Sequence, residues 1–289
     1  MPRLPPSIHL DRLIDLALEE DLFLGDVTTA AVAGANERAS GRFVARSDAV
    51  LAGSEAAERV FQRVDPEAQV RFLFADGELL AAGTVFGEAD GKAAALLMAE
   101  RTALNLLQRL CGIATLTRRY VEAVRGTAAT IIDTRKTTPG LRALEKAAVV
   151  AGGGKNHRSS LGDGVLIKTN HVRIAGSVEE AVKRSRAHAP HTLRIEVEVR
   201  DLEELGAALQ AKADVCLLDN MGLDALAQAV KFNRDRRSGA MIEASGGVTL
   251  ETVRAIAETG VDLISVGRLT HSAPAADLAF EVGPAEPGR

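Results

Sequence analysis

The pattern of apolar and polar residues divides the chain into two parts at about residue 128. In the first part, apolar residues recur at helical spacing over 8–20 and 54–64, which predicts two amphipathic helices. Strand-like stretches occupy 41–52 and 69–87. Together these elements indicate a small α+β domain of antiparallel strands with one or two helices.

Turn and capping residues predict where several of these elements begin or end. Asp76-Gly77 indicates a hairpin turn. Ser54 can cap the predicted helix over 54–64. Asp90 is the candidate N-cap of a long helix. We expect Cys111-Gly112 to break that helix before a second segment over 113–125.

After residue 128, short apolar strands alternate with amphipathic helices. The predicted strands are 129–133, 164–168, 193–198, 214–218, 241–244 and 262–266. The predicted helices between them are 140–151, 177–188, 201–211, 222–234 and 249–259. Alternation at this spacing indicates a parallel sheet with right-handed crossovers. No Gly-x-Gly-x-x-Gly turn follows the first strand, so we favour a six-stranded α/β barrel over an open dinucleotide-binding sheet.

Polar residues stand at the carboxyl ends of all six predicted strands, which is where α/β barrels carry their sites. In chain order they are Arg135 and Lys136, Lys168 with Asn170 and His171, Glu196 and Glu198, Asp219 and Asn220, Ser245 with Gly246 and Gly247, and Gly267 with Arg268. Along the third strand Glu196 and Glu198 alternate with Val197, and we expect one of the two carboxylates to face inward.

The stretch from Asp133 to Arg173 is a basic island, with eight Lys and Arg residues against three acids in a chain of net charge -4. Its glycines let the backbone approach a ligand closely. Arginine grips carboxylates in a bidentate way and lysine acts as a point charge, so the island suits a ligand with several negative charges. His157 and His171 can orient a carboxylate or donate to one.

Two further groups predict specific chemistry. Ser245-Gly246-Gly247 suits a phosphate cradle, because glycines expose backbone N–H groups and a helix expected from Thr249 adds partial positive charge. An ordinary turn is the alternative, and Gly267 in the next loop favours the cradle. Glu198 and Asp219 suit Mg²⁺, sugar hydroxyls or a developing positive charge, or else a structural ion pair with nearby lysines. We expect surrounding cations to keep both ionised.

Composition excludes several classes of protein. The N-terminus lacks the apolar segment of a signal peptide, and Ala93–Ala99 is too short to span a bilayer. Cys111 and Cys216 form no CxxC pair, so zinc and redox motifs are absent from the sequence. With no Trp, one Tyr and an acidic net charge, a nucleic-acid partner is not expected. These features predict a cytoplasmic protein without a membrane or nucleic-acid partner.

The residues alone predict a site for a phosphorylated sugar and a small anion with more than one carboxylate, but not the reaction. Two alternatives stay open. One is a phosphate-sugar aldolase that uses Lys168 as a Schiff-base nucleophile. The other is a sensor that binds a phosphorylated ligand without turnover.

Segments of both parts resemble quinolinate phosphoribosyltransferase, the type II phosphoribosyltransferase family of NAD biosynthesis. They are DTRKTTPG (133–140), GGGKNHR (152–158), LIKTNH (166–171), IEVEV (195–199), LLDNM (217–221), EASGG (243–247) and SVGRLTHSA (265–273), with GDVTT (25–29) and AERTALNLLQRLCGIAT (99–115). Thr169 and Ser160 stand where the family commonly has Asp and Gly. A relative acting on another acceptor acid, such as the molybdenum-operon-associated homologues, is therefore a further alternative.

The resemblance implies an α/β protein with an N-terminal open-faced α/β sandwich over 1–115 and an incomplete, six-stranded α/β barrel over 116–275. A C-terminal segment, 276–289, would return to the N-terminal domain or be disordered. The resemblance also implies a homodimer, or a higher oligomer, in which the partner's Arg101 reaches the barrel mouth. From its helical pattern alone, Arg101 also suits a solvated charge.

The family's reaction joins quinolinate to 5-phosphoribosyl-1-pyrophosphate with Mg²⁺, giving nicotinate mononucleotide, pyrophosphate and CO₂. By resemblance the catalytic residues are Lys136, Lys168, Glu198 and Asp219, of which the two acids also hold Mg²⁺, directly or through water or substrate. These four bind substrate as well, and the resemblance adds Arg101, Arg135, His157, Arg158, Ser245, Gly246, Gly247, Gly267 and His271. Arg135, His157 and Arg158 would hold the quinolinate carboxylates.

Overall fold

The computed structural model describes residues 7–284 and divides into two compact units. The first takes the residues up to Arg118, then Thr137–Gly153 and the residues from Leu269 onward. The second takes Arg119–Lys136 and Gly154–Arg268. The predicted domain boundaries stay predictions, and residues 285–289 of the predicted C-terminal segment lie outside the described chain. No helix within 7–284 is long and apolar enough to cross a membrane.

The first unit contains helices and antiparallel strands, numbered here in chain order. Its described helices are α1 Ser7–Leu22, α2 Val27–Val32, α3 Ser54–Val64, α4 Ala93–Ala123, which continues into the second unit, and α5 Arg142–Ala151. Its described strands are β1 Arg38–Ala45, β2 Ala49–Val50, β3 Gln69–Phe72, β4 Leu79–Leu80, β5 Val85–Lys92 and β12 Leu278–Pro284. One sheet has the order β12-β1-β5-β3, and β2 pairs with β4. The predicted helices over 8–20 and 54–64 are confirmed.

Phenylalanine rings form the core of this sheet. Phe43 on β1 is fully buried, and its ring centroid lies 4.6 Å from that of Phe280 on β12 and 5.7 Å from that of Phe61 on α3. Gly41 makes room for the contact, since a Cβ there would lie 2.0 Å from the Phe280 ring. The last described strand therefore completes the core of the N-terminal sheet.

Asp76-Gly77 forms a turn, but the predicted hairpin is wrong. Gly77 has a φ of 98°, as a glycine turn requires. However, β3 before the turn pairs with β5, and β4 after it pairs with β2. The Asp76 carboxylate accepts hydrogen bonds from the backbone N–H groups of Gly53 and Ser54 at 2.8 and 3.2 Å. Asp76 thus caps α3, the role predicted for the Ser54 side chain.

Helix α4 runs without a break through Cys111 and Gly112, so the predicted interruption is wrong. Asp90 is not its cap, because it belongs to β5 and accepts a hydrogen bond from the Ser40 hydroxyl at 2.5 Å. Gly112 is present for another reason: a Cβ there would lie 2.0 Å from the carbonyl oxygen of Pro274. A close backbone approach accounts for the glycine.

The second unit is built on a parallel sheet. Its strands are β6 Thr130–Ile132, β7 Val165–Ile167, β8 Ile195–Val199, β9 Val215–Asp219, β10 Met241–Ser245 and β11 Leu263–Ser265, paired in parallel in the order β6-β11-β10-β9-β8-β7. Its helices within the described chain are α6 Thr169–Ala175, α7 Val178–His188, α8 Leu202–Gln210, α9 Leu223–Arg236, α10 Val253–Glu258 and the start of α11 Arg268–His271. All six predicted strands are confirmed.

The strand order describes a barrel that does not close. Strands β7 to β11 follow one another around the barrel and β6 lies beside β11, so β6 and β7 are its two edges in the described chain. At the edge of β6, the Lys155 N–H donates to the carbonyl of Ile131 at 2.9 Å, and the Asp133 N–H donates to the carbonyl of Lys155 at 3.2 Å. This segment covers an edge that would otherwise be exposed. The predicted incomplete barrel is confirmed.

Strand β8 shows why the site forms inside the barrel. Ile195, Val197 and Val199 are buried on one face, and the two glutamates alternate with them on the other. Glu196 contacts His157, and Glu198 contacts Lys168. Both carboxylates therefore share the inner face, whereas we expected only one to face inward. A period of two residues places Glu196 and Glu198 on the same side.

We predict that Gly112→Ala lowers the free energy of unfolding by about 1–3 kcal/mol, the usual cost of an extra methyl group in a packed site. The matched control is Gly206→Ala on α8, where a Cβ would meet the Phe232 ring at an ordinary 3.5 Å. This control should be neutral or stabilising by up to about 1 kcal/mol, since alanine favours helix. Urea unfolding of both variants measures the difference, and equal stabilities would contradict the packing argument.

Candidate active site

A cavity of about 650 Å³ opens at the carboxyl ends of the barrel strands. Four cations line it: Arg135, Lys136, Arg158 and Lys168. The carboxylates that line it are Asp219 and Glu243. A larger groove of about 860 Å³ includes Arg194 and Met241, near the amino ends of β8 and β10, but it contains none of the predicted site residues. Since α/β barrels carry their sites at the carboxyl ends, the first cavity is the candidate.

The cavity brings together most of the predicted site residues. Those lining it are Arg135, Lys136, His157, Arg158, Lys168, Asp219, Ser245, Gly246 and Gly247. Glu198 joins them through an ion pair with Lys168, and Gly267 follows β11 in the same unit. Arg101 and His271 belong to the first unit, where both are exposed. The roles assigned to individual residues by resemblance stay predictions.

The residues of the basic island do not all belong to the same unit of the fold. Its middle part, Thr137–Gly153, belongs to the first unit and contains α5. There the fully buried carboxylate of Glu145 forms an ion pair with Arg109 at 2.8 Å. The four cations of the cavity come from the stretches before and after this segment. Proximity in sequence is therefore not what selects the cations of the site.

Lys168 and Glu198 form an ion pair, with the lysine Nζ 2.9 Å from Oε2 of the carboxylate. The hydroxyl of Thr169 donates to the other carboxylate oxygen. Burial by itself raises the pKa of Glu198, but the hydrogen bonds from Lys168 and Thr169 outweigh it, so the pKa lies below its usual value. Glu198 is thus ionised at neutral pH, as we expected for this carboxylate.

His171 orients Lys168 from within α6, a helix that the sequence pattern does not predict. The Nδ1 atom of His171 accepts a hydrogen bond from the backbone N–H of Lys168 at 2.8 Å. This contact leaves the ring proton of a neutral His171 on Nε2. His171 also lines the cavity, so it holds the start of α6 beside the ligand space.

His157 is held by three hydrogen bonds within the barrel. Its backbone N–H donates to Oδ1 of Asp133 at 2.8 Å, and its Nδ1 accepts from the backbone N–H of Arg158 at 2.7 Å. Its Nε2 lies 2.9 Å from Oε2 of Glu196. Both ring nitrogens are therefore engaged by the protein itself. Contact of His157 with a substrate carboxylate stays a prediction.

Arg135 and Arg158 place two guanidinium groups beside the same space. Burial first, and the charge of Arg135 second, lower the pKa of Arg158 from its usual value. The Nη1 atom of Arg158 donates to the carbonyl of Gly164 at 2.8 Å, which fixes the side chain. Neighbouring guanidinium groups repel each other, and an anionic ligand relieves that repulsion. This pair suits a ligand with adjacent carboxylates.

The Ser245–Gly247 loop follows β10 with a backbone that only glycine adopts easily. Gly246 and Gly247 have φ values of 91° and 59°, and a Cβ on Gly246 would lie 2.3 Å from Oδ1 of Asn220. The prediction that a helix N-terminus near Thr249 adds partial positive charge to this loop is wrong, because α10 begins at Val253. A helix end therefore does not contribute to this loop, whose role as a phosphate cradle stays a prediction.

Two buried acids near the cavity were missed from the sequence. Asp133 is fully buried at the end of β6 and fixes the His157 backbone. Glu243 is 1% exposed on β10, and burial first, then the charge of Glu196, raise its pKa to about 7. A charged residue inside the apolar run of a strand, as in Ile242-Glu243-Ala244, was the available signal, because such a residue has to face a polar interior.

An incomplete α/β barrel with a cation-lined cavity and a glycine loop at its carboxyl end defines a class of proteins that bind small polyanions. Two family models match this chain. Quinolinate phosphoribosyl transferase, C-terminal domain, matches residues 113–281, and quinolinate phosphoribosyl transferase, N-terminal domain, matches residues 26–111. The chain therefore belongs to the quinolinate phosphoribosyltransferase family.

Relatives cover the chain almost from end to end. A Synechocystis protein named probable nicotinate-nucleotide pyrophosphorylase [carboxylating] is 43% identical over 98% of this chain and 95% of its own length. A Mycobacterium leprae protein named nicotinate-nucleotide pyrophosphorylase [carboxylating] is 45% identical over 92% and 94%. The crystal structure of NadC from Streptococcus pyogenes matches this chain with a TM-score of 0.93 and 37% sequence identity. The match covers 98% of this chain and 99% of that one.

We predict that Thr169→Val raises the pKa of Glu198, because the variant removes the hydroxyl that donates to the carboxylate. A lowered folded-state pKa contributes stability above the unfolded-state pKa, and this stability is lost as pH falls through the folded-state value. In the variant this contribution should therefore be smaller, and its loss should be complete at a higher pH than in the wild type. Carbon-13 NMR titration of the Glu198 carboxyl measures the shift.

Thr169→Ser is the matched control, since it keeps the hydroxyl and should keep the pKa of Glu198 low. If the valine and serine variants titrate alike, the hydroxyl has no part in lowering this pKa.

Proposed function

We propose that this chain transfers the phosphoribosyl group of 5-phosphoribosyl-1-pyrophosphate to quinolinate and releases CO₂, which gives nicotinate mononucleotide for NAD biosynthesis. The observation that carries the proposal is the cavity in which Arg135, Lys136, Arg158 and Lys168 converge, in a chain of this family. Both substrates are polyanions that repel each other. Fixed cations bring them together without the cost of reorganising solvent.

Each end of the cavity suits one part of the substrates. Arg135 and Arg158 suit the two adjacent carboxylates of quinolinate, because guanidinium groups grip carboxylates in a bidentate way. The Ser245–Gly247 loop suits the 5-phosphate, since its backbone N–H groups donate to phosphate oxygens. Glu198 and Asp219, at the ends of neighbouring strands, suit the ribose hydroxyls.

The reaction follows from this arrangement. The bond between the anomeric carbon and pyrophosphate breaks, and its electron pair leaves with pyrophosphate. Positive charge develops on the ribose, where Glu198 and Asp219 stabilise it. The lone pair of the pyridine nitrogen forms the new bond to the anomeric carbon. The bond to the adjacent carboxylate then breaks, the ring carbon keeps the electron pair beside the positive nitrogen, CO₂ leaves, and the carbon takes up a proton.

The carboxylates at the cavity fit a role in holding Mg²⁺, because this ion prefers oxygen ligands and retains several waters. Glu198 already accepts from Lys168 and Thr169, whereas Asp219 accepts from its neighbour Asn220 at 2.8 Å. Asp219 is therefore the better candidate for direct contact, and Glu198 for contact through water or substrate. When bound, Mg²⁺ would neutralise charge on the pyrophosphate group.

The alternatives have less support. For the aldolase, Lys168 would have to act as a nucleophilic amine, yet it forms an ion pair with Glu198 rather than lying in apolar surroundings. A sensor that binds without turnover needs no set of carboxylates beside the Ser245–Gly247 loop. A relative acting on another acceptor acid differs from the proposal only in the acceptor, and the pair Arg135 and Arg158 favours an acid with two adjacent carboxylates.

We further propose that the protein acts as a homodimer in which the partner's Arg101 completes the site. Arg101 is exposed on α4. Near the junction of α1 and α2, Phe23, Leu24 and Val27 are 78%, 86% and 80% exposed. Neighbouring exposed apolar side chains of this size suit a protein interface. The cytoplasmic location stays a prediction.

An acceptor panel tests the activity. With 5-phosphoribosyl-1-pyrophosphate and Mg²⁺, quinolinate should give pyrophosphate and CO₂ in equal amounts. Nicotinate, which lacks the adjacent carboxylate, should react at least about a hundredfold more slowly by kcat/KM, since cations built for that carboxylate are left unmatched. Saturable binding of 5-phosphoribosyl-1-pyrophosphate without pyrophosphate release would favour the sensor. Faster turnover of another acid would favour a relative that acts on that acceptor.

Mixing of inactive variants tests the shared site. Arg101→Ala and Lys168→Ala should each be inactive as homodimers, whereas a mixed dimer contains one site with both residues intact. Activity should therefore recover to about one quarter of wild type if chains exchange at random. Exchange is verified with tagged chains by mass spectrometry. Verified exchange without recovery would show that Arg101 does not act across chains.

A further inference from the structure

Three side chains from different parts of the barrel meet at the cavity, which two of them, His157 and Glu243, also line. One ring nitrogen of His157 and one carboxylate oxygen each of Glu196 and Glu243 lie within 4.8 Å of one another. Glu196 is 7% exposed and Glu243 is 1% exposed. One imidazole and two carboxylates are also a donor set that Zn²⁺ accepts. The hydrogen bonds of the cluster decide between a metal ion and a proton.

The contacts of His157 argue against a metal ion. Its Nδ1 accepts from the backbone N–H of Arg158 at 2.7 Å, so that nitrogen carries no proton. A metal ion on Nε2 would displace the remaining ring proton and leave an imidazolate, whereas metals in proteins are bound by neutral imidazole. The proton on Nε2 instead donates to Oε2 of Glu196, 2.9 Å away.

Three oxygens of the two carboxylates lack a hydrogen bond of normal geometry within residues 7–284, namely both oxygens of Glu243 and Oε1 of Glu196. The Ser265 hydroxyl is close enough to Glu243 to lower its pKa, but by less than burial raises it. A buried ionised carboxylate without donors is unfavourable, and a second carboxylate close by makes it more so. A single proton on Glu243 removes both problems. As a neutral acid Glu243 becomes a hydrogen-bond donor, and one carboxylate oxygen of Glu243 lies within 4.8 Å of one of Glu196.

The charged and polar groups around Glu243 are consistent with this proton. The groups that face it are Glu196 on β8, His157 beside β6, Ser265 on β11 and Lys168 after β7. Burial first, and the charge of Glu196 second, raise the pKa of Glu243 to about 7, and the other three groups do not outweigh them. On β9, Cys216 is a buried thiol whose pKa is raised to about 12, so it adds no charge.

We propose that Glu243 is a neutral hydrogen-bond donor to Glu196 and acts as a positioning residue for the site. The contacts run from Glu243 through Glu196 to the ring of His157, and from that ring to the backbone N–H of Arg158. They hold Arg158 at the cavity wall and keep a single negative charge beneath the cations. The expected effect of Glu243 on the KM for quinolinate rests on the proposed function, whereas the proton on Glu243 does not.

Two substitutions separate a neutral donor from a required charge. Glu243→Gln keeps a neutral donor of the same shape and should rescue function, with KM for quinolinate within about threefold of wild type. Glu243→Leu removes the donor, leaves Oε1 of Glu196 buried without a partner, and should raise that KM about tenfold or more. The KM for 5-phosphoribosyl-1-pyrophosphate should change less, because His157 and Arg158 face the acid.

Infrared and NMR spectra of the ligand-free protein test the proton directly. At pH 6 the wild type should show the carbonyl band of a protonated carboxylic acid that is missing in Glu243→Gln. In the wild type alone, the band should fade as pH is raised to 9, so the test does not depend on a variant folding. Nitrogen-15 NMR should find the His157 proton on Nε2 in wild type and Glu243→Gln, with a change in Glu243→Leu.

Three results would overturn the proposal. One is the absence of the acid band from the wild type, and another is equal impairment of the glutamine and leucine variants. The third is stoichiometric binding of Zn²⁺ to the wild type, measured by calorimetry and lost in Glu243→Gln. If the wild type fails to convert quinolinate, the proposed function fails, while the acid band and the Zn²⁺ titration still decide this inference.

Discussion

The hydrogen bond from the backbone N–H of His157 to the buried carboxylate of Asp133 is the constraint on which the site depends. Asp133 stands directly after β6, and Lys155 pairs with the same edge of the sheet. Together these bonds cover the edge of β6 and direct the chain toward the cavity. We infer that the barrel stays incomplete without exposing that edge because this segment takes the place of a strand. Arg158 reaches the cavity by this route.

Charge is distributed in layers around the cavity. Arg135, Arg158 and Lys168 line one cavity, and like charges in such a space need compensation by acids. Glu198 supplies it by pairing with Lys168. Deeper in the barrel, Glu196 supplies it through His157. The acids therefore belong to the anion site as much as the cations do.

The parts of the fold that the sequence predicted well are those that depend on local periodicity. The six barrel strands appear as apolar runs, and α1 and α3 show helical spacing, because one face of each element is buried wherever it packs. The errors have a different origin. Asp76 caps α3 from another loop, Gly112 meets the carbonyl of Pro274, and both contacts join residues that are far apart in the chain.

The sequence by itself determined the order of the six barrel strands along the chain and most of the cations that line the cavity, since residue type and spacing carry that information. Only the tertiary structure decided which charges of the basic island share a cavity, because Thr137–Gly153 leaves the barrel between them. It also decided the partners of the acids. Glu196 and Glu243 lie on strands separated by β9 and meet inside the barrel, where burial raises the pKa of Glu243.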